Sequence, residues 1–244
     1  MHLSRLFIDC PLAVGQEIVL AKESAHYLLN VLRQRVGTQV TLFNGQSGEY
    51  VADLIAAAKK NAHLQVTEYK NIERESALQL TLVQAISRPE HMDYTIQKAV
   101  ELGVQRIVPI ITERGLTRSR EQRWRKILIS ACEQCGRNRL PQLDNVLSLN
   151  AWLAEQSQSF CIVLSPTGKQ GINIQSLSGI EKNLTVLIGA EGGLSEAEIE
   201  QTRQAGYLDI RLGPRILRTE TAAVTVLAVV QALWGDLYES GDRS

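Results

Sequence analysis

Apolar and polar residues alternate through much of residues 38–70. "TQVTLFNGQSGEYVADLIAA" holds two β-rich runs separated by Asn44-Gly45 and Gly48, which predicts a hairpin. "AHLQVTEYK" adds a strand with Leu64 and Val66 on one face. Ahead of these, "SAHYLLNVLRQRVG" has helical spacing, with Ser24 placed to cap it and Arg33, Arg35 and Gly37 placed to close it. The first 72 residues therefore predict a small β-barrel carrying one short helix.

The rhythm changes after the polar stretch "KNIERESA" at 70–77, the expected linker, so a second domain is expected over 73–244. "LQLTLVQAI", "EHMDYTIQKAVELG" and "VQRIVPIIT" read as strand, helix ended by Gly103, and strand. A long helix is expected from about Arg120 to Cys135. "FCIVLSP", "LTVLIGAEGGLSEAEIEQTRQAG" and "YLDIRLGPRILRTETAAVTVLAVVQALWG" each open with a short apolar strand followed by a loop, and the last two continue into helices. Short apolar strands alternating with helices predict an α/β domain with a mostly parallel sheet covered on both faces.

Composition changes this picture little. The 244 residues are 44% hydrophobic and 21% charged, ordinary for a globular chain, and 26 basic residues balance 26 acidic ones. A zero total leaves room for a locally basic face. The longest apolar run, Ala222 to Trp234, spans 13 residues and contains Thr225 and Gln231. A bilayer needs about 20. No signal-peptide pattern opens the chain, so a cytoplasmic protein with no membrane partner is expected. Cys132 and Cys135 form a C-x-x-C, but it falls late in a helical pattern, and the histidines at 2, 26, 63 and 91 lack ligand spacing. No metal site is expected, and the cysteines read as core residues.

Ligands of open α/β sheets bind beyond the carboxyl ends of the strands. Three such ends carry unusual loops: Leu164-Ser165-Pro166, "IGAEGGLSEAE" and "LGPRILRTETAA". Gly189, Gly192 and Gly193 allow close backbone approach or positive φ. Ser195 and Glu198 have capping-box spacing, and Thr219 or Thr221 is placed to cap the last helix. The dinucleotide pattern G-x-G-x-x-G is absent, and Gly168-Lys169 lacks the rest of a P-loop. Glu191 at the glycine loop disfavours a phosphate and suits a cationic or zwitterionic cofactor. From Glu113 to Arg139 eight basic residues face three acidic ones, a local excess of five positive charges suited to phosphate neutralisation. Arg114, Arg118, Arg123, Arg125 and Arg137 are its expected RNA-binding members. Arg5, Arg33, Arg35, Lys59 and Lys60 extend the path across the barrel.

"LIGAEGGLSEAE" together with "LGPRILRTETAA" resembles the cofactor signature of the bacterial 16S ribosomal RNA m3U methyltransferase family (RsmE), of the SPOUT class. "HYLLNVLRQRVG", "KAVELGVQRIVP" and "ACEQCGRNRLP" match that family's pattern in order, so the resemblance covers nearly the whole chain. Two departures are Ala190, where the family more often has Pro, and Ala99-Val100-Glu101, where Ala-Thr-Glu is commoner.

The resemblance implies a PUA-like RNA-binding barrel, a trefoil-knotted methyltransferase domain and a homodimer with the site at its interface. It implies methyl transfer from S-adenosylmethionine (SAM) to N3 of uridine 1498 in 16S rRNA of the small ribosomal subunit. Leu164 and Ser165, then Ile188, Gly189, Glu191, Gly192 and Gly193, would hold the cofactor. Leu212, Gly213, Ile216, Leu217 and Thr219 would complete that set. Arg218 and Glu220 would face the base as catalytic residues. A non-catalytic RNA-binding assembly factor on the same scaffold is the alternative, one that would not need both C-terminal loops intact.

Overall fold

The computed structural model describes residues 4–20, 22–46, 48–58, 61–155, 159–168, 170–172 and 183–238. Lys59, Lys60 and Lys169 lie outside them. The chain forms two compact units, Met1–Glu75 with Cys132–Leu140, and Ser76–Ala131 with Pro141–Ser244. The division thus falls three residues beyond the expected boundary, and the segment Cys132–Leu140 joins the first unit.

In the first unit β1 (Ser4–Phe7), β2 (Glu17–Leu20), β3 (Gln39–Phe43), β4 (Glu49–Ala57) and β5 (Ala62–Lys70) form one sheet in the order β1-β3-β4-β5-β2. The β1–β3 pair is parallel and the others antiparallel. Alternation along the strands puts Leu6, Val40, Leu42, Leu54, Leu64 and Val66 into one core. The expected hairpin joins β3 to β4 through Gly45 (φ 82°) and Gly48 (φ 65°). A Cβ on Gly48 would stand 2.6 Å from the Tyr69 ring, so only glycine fits.

The helix expected after Ser24 is shorter than its pattern. It begins earlier, as α1 (Lys22–His26), so Ser24 lies inside it rather than at its cap. It then widens into a π-turn over Tyr27–Val31 that buries Leu28, and Arg33 follows at φ 55°.

A buried polar network closes this unit. Arg5 donates to Glu49 Oε2 (2.5 Å), Asn138 Oδ1 (2.7 Å) and the Arg137 carbonyl (3.2 Å). Arg74 also donates to Glu49 (2.9 Å), and Arg137 pairs with Glu75 (2.5 Å). Burial alone would raise the Glu49 carboxyl; Arg74 and Arg5 outweigh it and hold the group below the usual carboxylate range.

In the second unit the strands are β6 (Gln79–Ala85), β7 (Arg106–Ile111), β8 (Gln142–Leu143), β9 (Leu147–Ser148), β10 (Phe160–Leu164), β11 (Gln170–Gly171), β12 (Asn183–Ile188) and β13 (Leu208–Arg211). The helices are α2 (Pro89–Glu101), α3 (Glu121–Cys135), α4 (Leu149–Ala154), α5 (Glu196–Gln204) and α6 (Thr219–Trp234). The last turn of α3 belongs to the first unit. All pairings are parallel, in the order β11-β13-β10-β12-β6-β7-β8, with β9 also on β7.

Val83, Val108, Val163 and Leu187 face α4 and α5 through Leu149, Trp152 and Ile199. The alternate positions Leu82, Ile107, Ile162 and Val186 are fully buried on the opposite face. α6 packs against α2 and β12. Gln231, the polar break in the apolar run, accepts from Ser76 Oγ (2.8 Å) and donates to the Leu102 carbonyl (2.9 Å). It thereby pins α6 to the end of α2, where Gly103 takes φ 76°.

Cys132 is buried, Cys135 half-buried, and burial pushes the Cys132 thiol up to about 12, which makes it inert. No group of metal-ligating side chains occurs among the described residues. None of their helices is long and apolar enough to cross a membrane.

Candidate active site

The ends of β10, β12 and β13, three adjacent strands, open onto one cavity of about 670 Å³. This is the position that parallel α/β sheets give to ligands. Leu164 and Ser165 enter its wall from β10, and Ile188, Gly189, Glu191, Gly192 and Gly193 from β12. Leu212, Ile216, Leu217, Arg218 and Thr219 come from the loop between β13 and α6. Gly213 and Glu220, expected beside them, are not part of the wall among the described residues.

Each loop is held by short-range chemistry. Ser165 continues the sheet by donating its N–H to the Ile210 carbonyl (3.0 Å), and its hydroxyl accepts from the Thr167 N–H (3.1 Å). A Cβ on Gly168 would lie 2.6 Å from the Ile210 backbone, so this glycine is fixed by packing and not by a ligand. The glycines after β12 likewise serve the chain itself. A Cβ on Gly189 would meet Gly193 at 2.9 Å, and one on Gly192 would meet Arg114 Cβ at 2.9 Å. Only Gly193 of the three takes positive φ, at 68°. Ala190, the departure from the family pattern, buries its methyl in the core cluster.

The capping box is present. Ser195 Oγ accepts from Glu198 N (3.3 Å) and Glu198 Oε2 from Ser195 N (2.8 Å). The second oxygen of Glu198 reaches Glu113 N at 2.8 Å, which ties the loop after β7 to the start of α5.

Neither threonine caps α6. The N-cap is Arg218, without a side-chain cap bond, because Thr219 Oγ1 donates instead to the Gly189 carbonyl at 2.7 Å. Gln84, fully buried on β6, donates to the same Thr219 hydroxyl at 3.1 Å. Thr219 therefore ties the glycine loop to the start of the last helix.

Arg88 and His91, at the start of α2, line the cavity without having been expected there. Arg88 N donates to Glu191 Oε1 (2.8 Å), and His91 Nδ1 lies 2.7 Å from the same oxygen. Burial would raise the Glu191 carboxyl, but the Arg88 and Glu191 backbone amides and His91 hold it below the usual range. Glu220 Oε2 is buried without a hydrogen-bond partner among the described residues, 3.8 Å from His91 Nδ1. A signal for Arg88 and His91 was present: "SRPEH" follows β6, a fourth strand end on the same side of the sheet. Arg215 also lines the cavity and was not expected there.

The expected RNA-binding arginines divide. Arg5 and Arg137 are buried in the ion-pair network of the first unit, which corrects their expected role: their charges are spent on Glu49 and Glu75. Arg123 pairs with Asp93 (2.6 Å), and Arg114 donates to the Gly192 carbonyl (3.2 Å). Arg33, Arg35, Arg118 and Arg125 are exposed.

An all-parallel sheet with its loops converging at one end, joined to a small β unit, defines the class. Residues 74–231 match the RNA methyltransferase domain family and residues 20–67 the RNA methyltransferase PUA domain. Ribosomal RNA small subunit methyltransferase E of Buchnera aphidicola (Acyrthosiphon pisum) is 34% identical, over 96% of this chain and 95% of its own length. The protein of the same name from Bacillus subtilis is 30% identical, over 85% and 87%. The crystal structure of that enzyme from Neisseria gonorrhoeae, bound to S-adenosyl methionine, is 36% identical with a TM-score of 0.90, covering 97% of this chain and all of the other. A Legionella pneumophila structure in complex with the bound cofactor SAM is equally similar, at 36% identity, TM-score 0.91 and the same coverage. The chain belongs to the ribosomal RNA small subunit methyltransferase E family.

Proposed function

We propose that this chain binds SAM in the cavity beyond β10, β12 and β13 and methylates N3 of uridine 1498 in 16S rRNA of the small ribosomal subunit. The observation that carries the reading is the convergence of all three chemically unusual loops on one cavity. Its residues fit the cofactor. Leu164, Ile188, Ile216 and Leu217 offer apolar wall to an adenine, and Ile216 is 85% exposed. The Glu191 carboxylate, held ionised, favours a cation and disfavours a phosphate.

Bound SAM supplies an electrophilic methyl group; the chain supplies position and charge. N3 of uridine becomes a nucleophile only once its proton has left. Arg218, on the cavity wall, stays protonated and stabilises the negative charge that develops on the uracil oxygens. Glu220, two residues further on, supports the deprotonation with its negative charge. The exposed arginines Arg118 and Arg125, with Arg33 and Arg35 on the PUA-like unit, serve phosphate contact. Such a substrate places the enzyme in the cytoplasm.

The knot and the homodimer implied by the resemblance belong to the same proposal. On α6 Val224, Ala228 and Val229 are only half-buried and Ala232 and Leu233 exposed, an apolar face that a second copy would cover. Light scattering should give about twice the 27.1 kDa chain mass; an active monomer would remove the dimer from the account.

The function is tested by mass mapping of small-subunit RNA from a strain lacking the gene, with and without the gene restored. Loss and return of one methyl group at that uridine supports the reading. An unchanged methylation pattern refutes it.

A further inference from the structure

Glu220, the carboxylate expected to serve deprotonation, does not line the cavity, whereas His91 does. His91 stands between two carboxylates. Its Nδ1 lies 2.7 Å from Glu191 Oε1, and Glu220 Oε2 is 3.8 Å from the same nitrogen. An ionised carboxylate only accepts, so Nδ1 must carry a hydrogen. That fixes the tautomer: in neutral His91 the other nitrogen, Nε2, bears the free lone pair. A carboxylate that orients an imidazole this way also stabilises the imidazolium formed when it takes a proton. Glu220 adds a second negative charge, and its buried, unpartnered Oε2 has its desolvation offset when His91 becomes cationic.

We propose that His91 is the proton acceptor of this site, oriented by Glu191 and supported by Glu220, and that it removes the N3 proton of the uridine. The inference rests on the methyltransferase reading above. Nε2 takes the proton, and the electron pair left on N3 forms the new bond to the methyl carbon. The carbon–sulfur bond breaks with its pair remaining on sulfur, which neutralises the sulfonium. The imidazolium then returns its proton to water. The charged groups around His91 are Glu191 from the glycine loop and Glu220 from α6. Arg88 stands at the start of its own helix, and Arg211, Arg215 and Arg218 line the same cavity.

The first test needs no cofactor. Long-range proton–nitrogen spectra of the ring-labelled chain should show neutral His91 protonated at Nδ1 and bare at Nε2. Glu191→Gln should weaken that preference. A wild-type ring with hydrogen on Nε2 overturns the proposal.

The second test is single-turnover methylation of small-subunit particles at saturating SAM. His91→Gln should slow it by about 10²–10⁴, change the pH–rate profile from that of the wild type, and leave SAM affinity by calorimetry near wild type. A wild-type pH profile in His91→Gln overturns the inference while the methyltransferase reading stands. So does a variant that loses only SAM affinity. A wild-type chain that methylates nothing overturns both.

Discussion

Arg114 rests on Gly192: its guanidinium donates to the Gly192 carbonyl at 3.2 Å, and a Cβ on the glycine would stand 2.9 Å from Arg114 Cβ. A residue expected to hold RNA thus braces the proposed cofactor loop. Gly192→Val adds a branched carbon at that contact and must displace either Arg114 or the loop. SAM affinity measured by calorimetry should fall at least tenfold, about 1.4 kcal/mol, while the thermal transition persists. Wild-type affinity in the folded variant would move the cofactor site elsewhere.

The network around Glu49 predicts a pH-dependent contribution to the PUA-like unit. Because the folded carboxyl lies below its ordinary value, its stabilising effect is complete above that value and is lost as pH falls through the folded one. Glu49→Gln leaves Arg5 buried beside a neutral amide. At pH 7 this should cost about 3–5 kcal/mol. Hydrogen exchange of the β3 and β4 amides should report the loss at neutral pH and a narrowing gap to wild type below about pH 4.5. A pH-independent gap would contradict the assignment.

Salt dependence separates RNA contacts from structural arginines. Arg118→Ala and Arg125→Ala should each flatten the slope of log K against log salt by about 0.7–0.9 on small-subunit RNA. Arg5→Ala and Arg137→Ala should leave the slope unchanged and lower thermal stability instead. A flattened slope for Arg137→Ala, with stability intact, would return that arginine to the RNA.

Much of this was legible in the chain. β6, α2 and β7 follow from a period of two giving way to a helical pattern closed by Gly103, because those signals are local. The three polar loops were legible for the same reason, since each directly follows an apolar run. The two-residue strands β8, β9 and β11 are too short to carry any period. The burial of Arg5 and Arg137 was not legible, because Glu49 lies 44 residues from Arg5 and Glu75 lies 62 from Arg137. His91 was passed over on spacing alone: its partner Glu191 is 100 residues away, and only the β6–β12 pairing brings their loops together. Ser24 and the pair Thr219 and Thr221, expected as cap candidates, cap no helix. Their hydroxyl chemistry suits the role, but α1 starts before Ser24, and the Thr219 hydroxyl donates its hydrogen bond to the Gly189 carbonyl.

The central claim is that the cavity beyond β10, β12 and β13 directs methyl transfer to one uridine nitrogen. The most direct measurement incubates the purified chain with methyl-labelled SAM and small-subunit particles from a strain lacking the gene, then locates the label by mass mapping. The account predicts one label per particle, on N3 of uridine 1498, with Arg218→Ala slowing its single-turnover appearance by about 10²–10³. Label on another atom or nucleotide, or a wild-type rate in Arg218→Ala, would contradict it.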